Sequence, residues 1–347
     1  MKSGLFCAVR DEYCGQVATE MNLFWEVKEM EVMHRSRMPL YMFVSFLVAA
    51  FAITFLLCPA LATGQVAASA PNTPNNWKQV EEAMGRPGQM QPGDVIRFAM
   101  PRKDMHVTLD GVDIKPGLAL GSWLAFKRDG STAMVMGDLV LAEAEVGPVM
   151  MQLQEGGIHE SAVHNHLIRE SPRVMYMHIA SHGDAVQMAK IIHDALALTK
   201  TPSPDTNPAP SPTADLGFDQ KLVEQTLGQT GKVNGGVLQI GVPRSETITD
   251  SGMTIPPSMG VATALNFQPA GGSKAAITGD FVLLASEVNP VIKALRENGI
   301  EVTALHSHML TEEPRLFFMH FWANEDAVKL AKGLRAALDN TNSAKSK

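Results

Sequence analysis

Two stretches of the chain bring together residue types that bind metals. The first holds His164-Asn165-His166, then Glu170, Pro172-Arg173 and His178. The second holds His306-Ser307-His308, then Glu312, Pro314-Arg315 and His320. Neutral imidazole and carboxylate are ligands that Zn²⁺, Cu²⁺, Fe²⁺ and Ni²⁺ accept. Three histidines and a glutamate would fill a four-coordinate site, whereas three ligands would leave a position for water, whose pKa Zn²⁺ lowers to about 7. The sequence therefore nominates His164, His166, Glu170 and His178, and again His306, His308, Glu312 and His320, as ligands of a divalent transition metal, Zn²⁺ first. Metal-dependent hydrolysis is the activity such a site would serve. A plainer reading competes with it: strand histidines are often hydrogen-bonded core residues, and a duplication preserves structural residues as readily as ligands. Arg173 and Arg315 also lie where they could pair with Glu170 and Glu312. On that reading the chain is a non-catalytic envelope module for a small molecule or a protein partner, with structural histidine networks.

The metal reading needs a hairpin. Strands expected at Ser161–Leu167 and Arg173–Ile179 alternate their side chains, so His164 and His166 share a face. An even pairing sum in the antiparallel return, for example His164 opposite His178, adds the third imidazole to that face. Opposed Cβ atoms are then about 4.5–5.5 Å apart, and a slip of one residue would turn His178 away. Met177 and Met319 alternate to the other side and read as core. Asp138 and Asp280 each follow a glycine where a strand begins and read as turn residues. His106, His159 and His182 have no histidine counterpart in the other stretch and read as incidental surface positions.

Other elements follow from pattern. A helix is expected over Trp77–Met84, and strands over Val95–Met100, Met105–Leu109, Leu118–Phe126 and Thr132–Met136, with Asp129-Gly130 as a hairpin turn. A helix beginning at Glu145 would carry Pro148 in its first turn and end at Gly156-Gly157. Asp184 is placed to cap a final amphipathic helix whose apolar positions are Val186, Ala189, Ile192 and Leu196.

The whole order occurs twice. Gly137-Asp-Leu-Val-Leu141 recurs as Gly279-Asp-Phe-Val-Leu283, and Glu145-Val-Gly-Pro-Val149 as Glu287-Val-Asn-Pro-Val291. From Gly137 to Leu196 the second copy aligns without a gap, and upstream Val80-Glu81 through Gly85 matches Val223-Glu224 through Gly228. Proline at high density between Thr201 and Thr213 can neither complete a sheet ladder nor continue a helix, so it is a spacer. The expected organisation is an N-terminal extension and signal (1–62), a leader (63–76), repeat one (77–200), a Pro-rich linker (201–213), repeat two (214–340) and a tail (341–347). The expected fold class is α+β, two tandem homologous repeats, each an antiparallel sheet with helices packed on it, in a pseudo-twofold arrangement.

Composition narrows the function class. With 45% apolar and 19% charged residues the chain can build cores of ordinary size. The net charge of −7 and the lack of a Lys/Arg cluster give no footprint for nucleic acid. Leu40–Leu57 is almost wholly apolar, is preceded by Lys28, Arg35 and Arg37, and is followed by Pro59-Ala60-Leu61-Ala62. That reads as a secretory signal cleaved after Ala62, which would place the protein in the periplasm or outside the cell. An uncleaved anchor is the rival, because the run is near the threshold of ~18 residues for spanning; it would be the chain's one attachment to membrane. Cys58 suggests a lipoprotein signal, but Leu57 stands where such signals carry a small residue. Residues 1–37 precede a signal of ordinary length and show no pattern, as expected if translation starts near Met38. All three cysteines, Cys7, Cys14 and Cys58, precede the cleavage point, so the expected mature chain has neither disulfide nor thiolate ligand. No serine-nucleophile motif, Walker loop or dinucleotide fingerprint occurs.

Taken as a set, Leu118-Ala-Leu-Gly-Ser-Trp123, Gly137-Asp-Leu-Val-Leu141, Glu145-Val-Gly-Pro148, Gly157-Ile158, His164-Asn-His166, Ser171-Pro-Arg-Val-Met-Tyr-Met-His178 and Gly183-Asp-Ala185 resemble the DUF1259 family, also called the LppY/LpqO family. The resemblance covers both copies and supports export. It implies no catalytic residue, because the family's function is unknown. The second copy departs from the first at Asn324-Glu325, where the first has His182-Gly183, and at Ser307, where it has Asn165.

Overall fold

Residues 77–204 and 215–344 are described by a computed structural model, and they form one α+β unit twice. The expected signal segment, its cleavage point, the leader, most of the linker and the end of the tail lie outside the described residues. Repeat one runs α1 (Trp77–Met84), β1 (Gln89–Gln91), β2 (Val95–Pro101), a small hairpin of β3 (Thr108–Leu109) and β4 (Val112–Asp113), α2 (Pro116–Ala119), β5 (Gly121–Asp129), β6 (Thr132–Ala142), α3 (Glu143–Glu155), β7 (Glu160–His164), β8 (Val174–Gly183) and α4 (Ala185–Leu196). Repeat two runs α5 (Gln220–Leu227), β9 (Lys232–Asn234), β10 (Val237–Pro243), β11 (Ile248–Asp250), β12 (Met253–Ile255), β13 (Ala262–Pro269), β14 (Lys274–Leu283), α6 (Ala285–Glu297), β15 (Glu301–His306), β16 (Phe317–Asp326) and α7 (Ala327–Leu338). Each repeat has a six-stranded antiparallel sheet, ordered β1-β2-β5-β6-β8-β7 in one and β9-β10-β13-β14-β16-β15 in the other. The α+β class with two antiparallel repeats is what the sequence predicts.

Strand β6 shows why the sheets sit where they do. Its side chains from Ala133 to Leu141 are all buried, so neither face meets water. Ala133, Val135, Leu139 and Leu141 pack against Val149 and Leu153 of α3 and Met188, Ala189 and Ile192 of α4. The alternate positions Met134, Met136 and Val140 point the other way, as a two-residue period requires. There they meet the second repeat. Met134 and Met136 share a core with Met253, Val261 and Phe318, while Val140 and Tyr176 share one with Val237, Ala276 and Trp322. The layers are therefore helices, sheet, sheet, helices, and the helix-free faces of the two sheets look toward each other. Each large side chain fully buried there stabilises by roughly 1.5–3 kcal/mol.

The terminal helices carry the expected caps: Asp184 accepts from Gln187 N at 2.8 Å, and Asp326 from Lys329 N at 3.0 Å. Two arginines that sequence patterning overlooked clamp strand to helix. Arg102 donates to Val140 O and Glu145, and Arg244 donates to Val282 O and Glu287, each with 1% of its side chain exposed. Removing one partner of such a buried pair typically costs 3–5 kcal/mol.

Five local readings change. Of the strand expected over Met105–Leu109, only Thr108–Leu109 forms a ladder. Leu118 belongs to a helical turn opened by Pro116, and the next strand starts only at Gly121. Helix α3 begins at Glu143, which leaves Pro148 inside the helix beyond its first turn. Strand β7 stops at His164, so His166 leaves the sheet and sits in the following loop. Strand β6 continues past Met136 to Ala142, so Asp138 is a mid-strand residue and not a turn residue; Asp280 is equally internal to β14. Gly137 and Gly279 misled because they look like turn glycines. They are glycines for lack of space: a Cβ on Gly137 would lie 2.5 Å from Leu124 Cδ2 and 2.8 Å from Trp123 O, and one on Gly279 would run into the Ala264 carbonyl.

A prediction follows for Gly279. Backbone cannot swing aside as a side-chain tip can, so Gly279→Ala should force β13 and β14 apart and cost about 3 kcal/mol or more. Chemical denaturation measures this, and a loss under about 1 kcal/mol would contradict the packing described.

Candidate metal centre

On the helix-free face of repeat one, Asp138 of β6 pairs with His178 of β8, and His178 pairs with Ala162 of β7. His164 pairs with Tyr176, one pleat along. A bulge between Glu160 and Ala162 leaves this parity intact, so His164 and His178 share the face, with Tyr176 rather than His178 directly opposite His164. Repeat two repeats the pattern: Asp280 with His320, Ala304 with His320, and His306 with Phe318. The loop histidines are brought back by stacking. His166 lies on the Tyr176 ring at 3.4 Å between centroids, and His308 lies on Phe318 at 3.4 Å. Bonds across the repeats fix both loops: Ser161 Oγ donates to His308 O, Thr303 Oγ1 to His166 O, and Asn165 Nδ2 to Thr303 O.

The two expected clusters are one. His164 stacks on His306 at 3.6 Å and His166 on His320 at 3.7 Å, and His178 lies tilted against His308 at 3.8 Å. The contacts exchange the repeats reciprocally, as across a twofold axis. Within a repeat the rings are farther apart, 4.9 Å for His164–His178 and again for His306–His320. Sequence reasoning put one cluster in each copy because nothing in a linear pattern says that two sheet faces will meet.

Ligand atoms of Asp138, His164, His166 and His178 lie within 4.8 Å of one another. The same holds for His164, His306 and His320, and for His178, His306 and His308. Asp280 approaches His308 Nε2 at 3.0 Å and His320 Nε2 at 3.9 Å, and Asp138 approaches His166 Nε2 at 3.4 Å. Both aspartates belong to the centre although the sequence pattern assigned them to turns. The usable signal was their recurrence at one fixed spacing before the histidines. Glu170 and Glu312 are placed differently. Glu170 accepts from Val174 N at 3.4 Å, and Glu312 accepts from Leu316 N at 2.9 Å and pairs with Arg315. They brace the loop that returns to β8 and β16, outside the three groups above. His106, His159 and His182 are exposed, and Met177 and Met319 lie in the helix-side cores.

Protonation suits ligation. A carbonyl can only accept, so Nδ1 of His178 donates to Gly137 O at 3.3 Å and Nδ1 of His320 to Gly279 O at 2.7 Å. Nδ1 of His164 likewise donates to Asn165 O at 3.1 Å. That leaves their Nε2 lone pairs aimed inward, the usual way an outer hydrogen bond sets a metal-binding tautomer. Burial pushes all six imidazoles below the ordinary histidine range, and the neighbouring histidines press most of them further down. They are neutral at pH 7. Burial, with the nearby Asp138 charge adding to it, raises the Asp280 carboxyl to about 6.

A family model described as Domain of Unknown Function (DUF1259) matches residues 78–198 and 221–340. No curated protein matches the chain. Solved structures that are similar in part include the trimeric bacterial microcompartment shell protein PduB, 14% identical over 73% of this chain and 90% of that one, with a TM-score of 0.17. EtuB from Clostridium kluyveri is 10% identical over 72% of this chain and 90% of its own, also with a TM-score of 0.17. Neither likeness carries weight for fold or function at that score.

The centre makes stability depend on pH. In the metal-free chain the unfolded state protonates each histidine near 6.5 while the folded state holds it neutral. The unfolded state therefore binds more protons, and stability present above pH 6.5 is lost as pH falls below it, at up to about 1.4 kcal/mol per histidine per unit. Asp280, raised from 3.8 to about 6, works in the opposite sense between those values. Six groups outweigh one. Chelator-treated protein should melt at a lower temperature at about pH 5.5 than at about pH 7.5, and an equal or higher melting temperature in acid would contradict buried neutral imidazoles.

Proposed function

The chain belongs to the DUF1259 family, and we propose that it is an exported protein that binds a divalent transition metal in the histidine chamber between its repeats, with Zn²⁺ the first candidate. One observation carries this reading. Ten buried nitrogen and oxygen atoms of the six histidines and two aspartates have no hydrogen-bond partner: Nε2 of all six histidines, Nδ1 of His306 and His308, and Oδ1 of Asp138 and Asp280. Leaving a buried polar group unsatisfied costs about 1–3 kcal/mol, and the aspartate contacts, Asp280 with His308 at 3.0 Å and Asp138 with His166 at 3.4 Å, leave most of these atoms unmatched. An ion satisfies several at once. A set of nitrogens with carboxylate oxygens suits Zn²⁺, Cu²⁺ or Ni²⁺ better than Mg²⁺ or Ca²⁺, which take oxygens almost exclusively.

A bound ion would supply Lewis acidity, so metal-dependent hydrolysis of a small molecule is the activity this site would serve. His164, His166 and His306 are partly buried as residues, although their Nε2 atoms are buried. Export rests on the apolar run from Leu40 to Leu57 with basic residues before it and Ala60-Leu61-Ala62 after it. Among the described residues, no helix is long and apolar enough to cross a membrane.

Elemental analysis of protein purified without chelator should show stoichiometric metal, and His164→Ala/His166→Ala should lower it. Glu170→Gln should keep it, because that carboxylate braces a loop. A chain that emerges metal-free and refuses Zn²⁺, Cu²⁺ and Ni²⁺ in titration would sink the proposal. For export, cell fractionation with N-terminal sequencing should find a mature chain beginning at Thr63, and an intact N-terminus in the cytoplasm would refute it.

A further inference from the structure

We infer that the chamber holds two ions side by side, one bound through Asp138 and His166 and the other through Asp280 and His308. This rests on the metal-binding reading above and deepens it.

Donor number is the first ground. Six imidazoles and two carboxylates converge, whereas a single Zn²⁺ site takes four ligands. One ion would leave half of these buried side chains without a partner, which restores the penalty that an ion was invoked to relieve.

Geometry is the second. Asp138, His164, His166 and His178 form a complete four-ligand set, with all ligand atoms within 4.8 Å of one another. By the symmetry of the repeats the counterpart residues are Asp280, His306, His308 and His320; of these, Asp280 lies 3.0 Å from His308 Nε2 and 3.9 Å from His320 Nε2, while His306 groups with His320 and with His308. The sets also interpenetrate, because His306 reaches both His164 with His320 and His178 with His308. Two ions held by sets that share ligands in this way would be close neighbours.

The chamber provides one carboxylate for each ion, on equivalent strands. Whichever way His164, His178, His306 and His320 divide between the ions, Asp138 with His166 belongs to one and Asp280 with His308 to the other.

The test uses the full chain, stripped with chelator and reloaded. Zn²⁺ titration followed by desalting and elemental analysis should give two ions per chain. Loaded with Cu²⁺, the protein should show a magnetically coupled pair, with spin intensity well below that of two isolated ions. Asp138→Asn/His166→Ala and Asp280→Asn/His308→Ala should each retain one ion and give a full uncoupled signal. Saturation of the unaltered chain at one ion would overturn the inference while leaving the metal-binding reading standing, and two ions with uncoupled spins would overturn the shared chamber. Binding of no ion would remove both readings. If a double variant fails to fold, the stoichiometry and coupling of the unaltered chain decide alone.

Discussion

Each sheet has one face that its own helices cover and one that they cannot. Burying that second face is the constraint from which the rest of the architecture follows. In repeat one it carries Met134, Met136, Val140 and Tyr176, and in repeat two Ala276, Val282, Phe318 and Trp322. Left to itself, either repeat would expose these apolar side chains to water. Packing the faces together removes both from water and produces an isologous contact inside one chain.

The polar cluster sits in the middle of that apolar contact. Eight ionisable side chains are set between two hydrophobic cores, one on each side. The favourable burial around them offsets their desolvation and holds the imidazoles neutral, which is the state a metal requires. Rigidity comes from the same source. The histidines on β8 and β16 are anchored by Gly137 O and Gly279 O, and the loop histidines are pinned by hydrogen bonds that only the opposite repeat can make. The centre is therefore a property of the pair of repeats.

Duplication has let the surroundings of the centre diverge while its donors recur. Tyr176 backs His166 and donates its hydroxyl to Ala119 O, while Phe318 backs His308 and has no hydroxyl to place. Asn165 bonds across to Thr303, whereas Ser307 at the same place meets Arg315. These differences bear on which half faces solvent and how firmly each loop is held. They leave two halves of one centre, where separate copies would have been free to become unlike sites.

Local order was legible in the residues. Alternation around His164 and His178, the Asp184 and Asp326 caps and the gapless second half follow from side-chain period, cap chemistry and repetition, all of which act over a few residues. The parity of the β7–β8 hairpin stayed a condition in the sequence, because the bulge between Glu160 and Ala162 that shifts the register leaves no mark there. Asp138 was misread for a physical reason: a glycine that avoids a clash across a sheet looks the same in sequence as a glycine that makes a turn. Glu170 and Glu312 were drawn to the histidines by proximity in the chain, but a loop can direct a carboxylate to its own backbone. Repetition and the recurring histidines were thus determined by the sequence alone. That three and three histidines make one chamber, with Asp138 and Asp280 inside it, was decided by the tertiary structure, because only the packing of two sheet faces from distant segments brings those atoms together.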